Sequence, residues 1–255
     1  MSTLWNNLLA QYYAQNQYGL WIPERLGYVT DGLVAMWDGE YNLGNRHNST
    51  TRVWIDCVGG VRLYFTEQNT GSYDWMDKCV HFQGLGRERF ERHRQAVSED
   101  TVCTLEISTL YENVSGSNTY KSPANNFAFG CAYIYFPLTS GRQLFDVRTT
   151  HFARNANKEL IKNIAATCSL VLRGTNTYND SHAYFNAQEY AYTYNNQNAS
   201  TFTYDYIGCG TKAGDNDYRG AARVYCARAY NRALTESELT QNYTVDKERF
   251  GAVYN

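Results

Sequence analysis

The sequence predicts an all-β protein, a two-sheet antiparallel β-sandwich. Short stretches in which apolar and polar residues alternate recur along most of the chain, and turns rich in Asn, Gly, Ser and Thr separate them. Tyrosine, whose ring packs well on a sheet while its hydroxyl stays solvated, occurs 23 times, against only three prolines. Many short strands joined by polar turns favour a sandwich or jelly roll.

The first 28 residues differ from the rest of the chain. Apolar side chains recur there at helical spacing, which predicts a short N-terminal helix with one apolar face. That face either packs on the sandwich or docks on another subunit. We therefore separate an attachment segment, residues 1–28, from a sandwich at residues 29–255. The expected attachment residues are Leu4, Trp5, Leu8, Leu9 and Tyr12.

The middle of the chain shows the period of strands. Leu63 and Phe65 alternate with polar neighbours, as do Leu105 and Ile107. The nearly continuous apolar run at 127–136 fits a central strand covered on both faces or a buried helix, and Gly130 and Pro137 favour the strand. Two segments depart from this pattern: the charged run at 87–94 is expected to form a solvated loop or short helix, and residues 157–166 a short helix.

The C-terminal region predicts a strand followed by a short helix. The apolar-rich stretch 222–230 runs into a turn at 231–232, and a helix is expected to open after Thr235. Thr235 and Glu238 have the spacing of a capping box, in which a hydroxyl and a carboxylate satisfy backbone N–H groups at the helix start. Leu239 and Tyr243, four residues apart, would share one face of this helix.

Two motifs lie near the ends of the chain. The first is D-G-L-V-A-M-W-D-G at 31–39, followed by Trp54 and Asp56. The second is Y-N-R-A-L-T at 230–235 with V-D-K-E-R-F at 245–250. Together they resemble laminin-G-like domains of the concanavalin A-like lectin/glucanase superfamily. Domains of the kind that the chain resembles occur in bacteriophage and bacterial surface proteins. The resemblance implies a concanavalin A-like jelly roll over roughly residues 30–250. The chain departs from the pattern with alanines at 227 and 229 and with Asn186-Ala187 in place of an Asn-Gly turn.

Composition argues against several classes of protein. A formal net charge of −2 does not suit a general nucleic-acid binder, and no apolar stretch is long enough to span a bilayer. The cysteines are widely scattered and odd in number, and they lack the spacing of zinc ligands, so we expect them to be reduced, buried residues. They are Cys57, Cys79, Cys103, Cys131, Cys168, Cys209 and Cys226.

The sequence offers no catalytic residue, metal site or cofactor motif that we would assign. Catalytic members of the superfamily carry E-x-D-x-x-E on one strand, where alternation points the acids into one cleft, and that spacing is absent. The loop at 214–220 resembles a calcium loop, but Arg219 falls where an oxygen ligand is expected. We interpret this loop as a solvated turn.

Two aromatic segments are the candidates for carbohydrate binding. Sugars stack their C–H faces on aromatic rings while carboxylates and amides bind their hydroxyls. Packing against a neighbouring sheet or subunit would explain the second segment equally well. The candidate residues are Tyr73, Asp74 and Trp75 in one segment, and Tyr190, Tyr192 and Tyr194, expected on one strand face, in the other.

The resemblance, together with an N-terminus that lacks the features of a secretory signal, leads to a functional hypothesis. We expect a non-enzymatic structural or adhesion component of a bacteriophage virion, such as a capsid fibre, decoration or tail-associated protein, assembled in the host cytoplasm. It would form homo-oligomers, contact other virion proteins and bind cell-surface glycans. The alternative is a carbohydrate-binding lectin module of a bacterial surface protein, located at the cell surface, and a glycoside hydrolase ranks third.

Overall fold

A computed structural model describes sixteen parts of the chain: residues 22–42, 52–58, 61–68, 73–83, 87–92, 104–112, 124–129, 132–137, 144–147, 153–154, 163–173, 181–190, 193–194, 204, 206–209 and 221–254. Two antiparallel sheets within these ranges enclose one apolar core, and a C-terminal helix follows the last strand. The predicted β-sandwich is therefore confirmed.

The described elements are two α-helices and seventeen strands. The helices are α1, Ile22–Leu26, and α2, Glu236–Phe250, which a 3-10 turn, Gly251–Val253, follows. The strands, in chain order from β1 to β17, are Leu33–Asp38, Val53–Ile55, Arg62–Gln68, Tyr73–Trp75, Val80–Phe82, Arg87–Glu91, Thr104–Glu112, Ala124–Phe129, Ala132–Pro137, Leu144–Val147, Ala153–Arg154, Ala165–Leu172, Ser181–Phe185, Gln188–Tyr190, Thr193–Tyr194, Tyr206–Cys209 and Ala221–Tyr230.

The strands form two large sheets and one small one. Sheet A has the order β14-β13-β12-β7-β17-β5-β4, and β1 also pairs with β17. Sheet B has the order β10-β9-β8-β16-β6-β3-β2, while β11 and β15 pair separately. Strand β17 pairs with two strands along one side: Ala222–Val224 pair with β5, and residues 226–230 pair with β1. The last strand of the chain is thus central to sheet A.

Alanines in β17 make room for larger side chains of neighbouring strands. Ala227 is the Cα partner of both Trp37 and Ile107, and Ala229 is the partner of Leu105. All five residues are buried in the core between the sheets. Small residues beside large ones keep such a core dense, which gives a packing reason for the two alanines that depart from the family pattern.

Helix α2 covers the outer face of sheet A. A second apolar cluster forms there between the helix and the sheet, and it includes Leu239 and Val245 of the helix and Tyr230 of β17. The predicted capping box is confirmed: Thr235 Oγ1 accepts from the backbone N–H of Glu238 at 3.3 Å, and the Thr235 backbone N–H donates to Glu238 Oε2 at 2.8 Å.

Three sequence-based predictions of secondary structure are wrong. The apolar run at 127–136 is divided between two antiparallel strands, β8 and β9, in which Phe129 lies opposite Ala132. The charged run begins in strand β6, Arg87–Glu91, whose Phe90 is buried in the core between the sheets. Ala165 and Ala166, the end of the predicted helix at 157–166, open strand β12, and residues 157–162 lie outside the described ranges.

The turn between β13 and β14 contains an alanine in the left-handed region. Asn186 has φ 50° and Ala187 has φ 62°, both of which a two-residue hairpin turn of the mirror-image type requires. Asparagine tolerates this region and alanine does so at a cost. Tertiary contacts hold the turn, since Asn186 Oδ1 accepts from the Thr167 backbone N–H at 3.0 Å.

The first described residues pack against the sandwich. Val29 N donates to Asn242 Oδ1 of α2 at 2.9 Å, and Tyr28 Oη donates to Asp246 Oδ1 at 2.7 Å. The predicted attachment residues, from Leu4 to Tyr12, lie outside the described ranges, so the division at residue 28 stays a prediction.

Four of the predicted free cysteines are found in that state. Cys57, Cys79, Cys168 and Cys226 are free and buried. Burial raises the pKa of each thiol, to about 12 for Cys79, because a thiolate loses its solvation there. In the described part of the chain no helix has the length and apolar character needed to cross a membrane.

Candidate functional site

Tyr73 and Trp75 lie at one edge of the sandwich, on the last strand of sheet A. Both side chains are partly exposed and turn toward the core between the sheets. The Trp75 ring meets the Trp54 ring edge-on, with centroids 5.5 Å apart, and the Tyr73 ring lies 4.0 Å from that of Phe65. We call these four residues, with Phe90 at the centre of the group, the aromatic edge.

Asp74 points to the opposite face of the same strand. Successive side chains of a strand alternate between faces, so Asp74 cannot lie beside the rings of both its neighbours. It is exposed on the outer face of sheet A, where Asp74 Oδ2 accepts from Gln83 Nε2 at 2.6 Å. The three residues predicted to bind one sugar therefore line two faces of an edge strand.

A row of polar side chains continues from Asp74 across the outer face. Asp74 is the Cα partner of His81, which in turn is the partner of Arg223. Glu112 joins the latter two: its Oε2 lies 2.8 Å from His81 Nε2 and its Oε1 lies 2.6 Å from Arg223 Nε. We call Asp74, His81, Gln83, Glu112 and Arg223 the outer-face strip.

The C-terminal end of helix α2 borders this strip. The ring of Tyr225 packs on that of Phe250 with centroids 4.9 Å apart, and Lys78 Nζ donates to the carbonyl of Arg249 at 3.0 Å. Burial raises the pKa of Tyr225 to about 12, so the phenol next to Arg223 stays protonated near neutral pH.

The second predicted tyrosine group is divided between two strands. Tyr190 ends β14 in sheet A opposite Ala183, whereas Tyr194 belongs to β15 and pairs with Ala153 in the small sheet. Tyr192 lies outside the described ranges. The expectation of one continuous strand face is wrong for Tyr190 and Tyr194, because the chain leaves sheet A between them.

The terminal motifs meet in a buried ion pair. Asp38 of the first motif is fully buried, and its carboxylate accepts from Arg249 of the second motif, at 2.6 Å from Nη1 and 3.0 Å from Nη2. Asp38 Oδ1 also accepts from the backbone N–H groups of Glu40 and Tyr41. These motif residues fasten helix α2 to the sheet.

A second buried network lies under the middle of the helix. Arg228 of β17 donates to both carboxylate oxygens of Asp246, at 2.7 and 2.8 Å, and its Nε donates to Glu106 at 3.2 Å. Asn242 Nδ2 also donates to Glu106, at 2.6 Å. Burial raises the pKa of Glu106, which Arg228 partly offsets. Because Leu105 and Ile107 face the core, the alternation of side chains along β7 puts Glu106 on the outer face of sheet A. No local sequence pattern showed that helix α2 would cover Glu106 there.

Metal binding has no support within the described ranges. They contain no group of three His, Cys, Asp or Glu residues arranged to hold a metal ion. The candidate calcium loop at 214–220 lies outside them.

Comparison with solved structures finds proteins that share the fold of this chain. A Trypanosoma rangeli sialidase in complex with sialic acid shares 15% identity and a TM-score of 0.60 over 84% of this chain, which spans 33% of that protein. A mutant of that sialidase with trans-sialidase activity matches with 15% identity and a TM-score of 0.58 over 88% of this chain and 34% of its own.

A botulinum neurotoxin serotype D/C binding domain also matches, with 8% identity and a TM-score of 0.50 over 84% of this chain and 52% of its own. No protein-family model and no curated protein matches the chain. At these identities the likeness shows the fold alone, which is an all-β sandwich of the lectin, concanavalin A-like kind. The chain spans about a third of the length of the sialidases it matches.

These findings correct the functional hypothesis from the sequence. The expected non-enzymatic component of a bacteriophage virion is contradicted, because the fold neighbours are sialidases, which are glycoside hydrolases, and a toxin binding domain. The expectation that the protein is not an enzyme is contradicted by the same neighbours. The all-β sandwich that the resemblance implied is confirmed. These structural neighbours give no support to a bacteriophage origin.

Proposed function

We propose that this chain is a carbohydrate-binding β-sandwich domain that acts within, or beside, a protein that processes or binds glycans. The observation that carries the proposal is the aromatic edge, which lies on a fold shared with a sialidase solved in complex with sialic acid and with a toxin binding domain. Aromatic rings and nearby polar groups at an accessible edge are the chemistry that sugar recognition uses.

The edge supports this proposal by its packing. Trp75 and Tyr73 are partly exposed, while Trp54 and Phe90 behind them are fully buried. The buried rings hold the two outer rings in fixed orientations, so a sugar that stacks on them orders few side chains on binding. Arg52 adds a cation next to this edge, with its guanidinium 5.3 Å from the centroid of the Phe65 ring.

Binding of the full chain to an immobilised panel of oligosaccharides tests the proposal. Trp75→Ala should weaken binding of the recognised glycan by about tenfold or more, because it removes the stacking surface. Tyr243→Ala is the matched control, since Tyr243 is a partly buried aromatic residue of helix α2 that packs on Tyr254. A panel on which no glycan binds the folded protein would overturn the proposal, and so would equal losses in the two variants.

A second candidate is glycoside hydrolysis by the sandwich itself. Two carboxylates, Asp74 and Glu112, lie on one accessible face, and paired carboxylates are what glycosidases use. Release of methylumbelliferone from a series of its glycosides, including the sialic acid derivative, tests this candidate. Activity that Asp74→Asn and Glu112→Gln each abolish would support it, whereas hydrolysis unchanged in both variants would exclude these two acids.

A further inference from the structure

The outer-face strip is a polar surface on a part of the outer face of sheet A that helix α2 does not cover. Under helix α2 the outer face of sheet A is apolar or holds buried ion pairs. Beyond the end of the helix the side chains become accessible: those of His81 and Glu112 are each 21% exposed, that of Arg223 is 33% exposed, and Asp74 is an exposed residue. A ligand can therefore approach this part of the face directly.

The strip is also preorganised. Gln83 holds Asp74, and Glu112 holds both His81 and Arg223. All five side chains project from strands or from the residue after a strand, so backbone pairing fixes their spacing. These polar groups are already held in place by other side chains and by the strands. They therefore lose little conformational entropy when a ligand binds.

The chemistry of the strip favours ligands that donate hydrogen bonds. A carboxylate oxygen has two lone pairs, so Asp74 and Glu112 keep acceptor capacity beyond the contacts described above. Neighbouring hydroxyls of a sugar ring supply such donors. Strand β4 is the edge strand of sheet A, so a glycan that stacks on Tyr73 and Trp75 can continue around this edge to the outer face. From this arrangement we infer that the outer-face strip binds the hydroxyls of that continuing part of the glycan, and that it selects neutral sugars there over sugars that carry a carboxylate.

Fixed charge is the reason for this selectivity. Two carboxylates, Asp74 and Glu112, stand in the strip against one guanidinium, that of Arg223, which Glu112 already neutralises. The exposed Asp77 and Lys78, in the turn that borders the strip, carry opposite charges. A carboxylate on the ligand would meet the remaining negative charge of Asp74. Arg52 lies on the other side of the edge strand, over Phe65, and is not part of the strip. This inference rests on the proposed carbohydrate binding and adds the class of sugar.

Paired ligands test the inference. The full chain is titrated with neutral oligosaccharides from the panel, lactose among them, and with the terminally sialylated form of each, at 20 and 150 mM salt. The neutral member should bind about threefold tighter or better at low salt, and the difference should shrink at the higher salt, where screening weakens charge repulsion.

Variants at one position separate contact from charge. Asp74→Ala should weaken binding of the neutral sugar by about tenfold, the effect of losing a hydrogen bond to a charged group. Asp74→Asn should reduce the preference for the neutral sugar by about two- to threefold, because it removes charge and keeps the shape. Glu236→Gln, at the opposite end of α2, removes one negative charge and should leave both affinities unchanged.

Each outcome has a distinct meaning. Equal or tighter binding of the sialylated member, or wild-type affinity in Asp74→Ala, overturns this inference and leaves carbohydrate binding in place. A panel on which neither member of any pair binds overturns the proposed function, and the inference with it. Neutral selectivity that falls with salt and with Asp74→Asn supports the assignment.

Discussion

Asp38 and Arg249, 211 residues apart in the chain, form a two-bond ion pair that ties strand β1 to the last turn of helix α2. The carboxylate is fully buried and the arginine side chain is 11% exposed. The rings of Phe250 and Tyr28 lie 4.6 and 5.7 Å from the guanidinium carbon. The two terminal motifs of the sequence thus form one structural unit.

Loss of this pair should destabilise the protein strongly. Arg249→Gln is expected to lower the free energy of unfolding by about 3–5 kcal/mol, because it leaves the Asp38 carboxylate buried without its cation. Urea unfolding monitored by circular dichroism measures the change. Lys247→Gln, at an exposed position of the same helix turn, is the control and should have little effect. Equal midpoints for the two variants would contradict this role of the pair.

The helix cap should make a smaller contribution. Thr235→Ala is expected to cost about 1 kcal/mol, since it removes the hydroxyl that accepts the Glu238 backbone N–H. Ser237→Ala, in the exposed first turn of the same helix, serves as the comparison in thermal unfolding. If the two variants melt at the same temperature, the cap adds no measurable stability.

Stability should fall in acid as Glu238 takes up a proton. Hydrogen bonds from Arg232 lower the pKa of Glu238 from 4.5 to about 2. An acid with a lowered pKa in the folded state contributes stability above its unfolded pKa, and this contribution is lost as pH falls from 4.5 toward 2. Glu238→Gln should remove that part of the pH dependence. A stability curve of the same slope in the variant would show that the pair is screened by solvent.

The buried cysteines should be unreactive in the folded protein. Cys57, Cys79, Cys168 and Cys226 are buried, and their pKa values are raised by desolvation, so access and thiolate formation are both suppressed. Titration with a thiol reagent before and after denaturation, with peptide mapping of the modified sites, measures this. Rapid labelling of these four sites in the native state would contradict the buried arrangement.

The class of fold and the start of the last helix could be predicted from the sequence. Alternation in β3 and β7 and the spacing of Thr235 and Glu238 are local patterns, and the structure reproduces them because strand period and capping depend on neighbours in the chain. The same reasoning failed at 127–136, where two adjacent strands share one apolar run, and at 87–94, where one buried phenylalanine outweighs the charges around it.

The roles of the polar residues depend on contacts that form only in the folded protein. Glu106 and Asp246 become members of one buried network only because α2 folds back over sheet A, and Asp38 finds its cation 211 positions away. Tyr73 and Trp75 are separated from Asp74 by the two faces of a strand, and strand pairing brings Asp74 into a row with His81 and Arg223. Contacts between residues distant in sequence leave no local period, so the candidate site could be recognised only after the strands were paired.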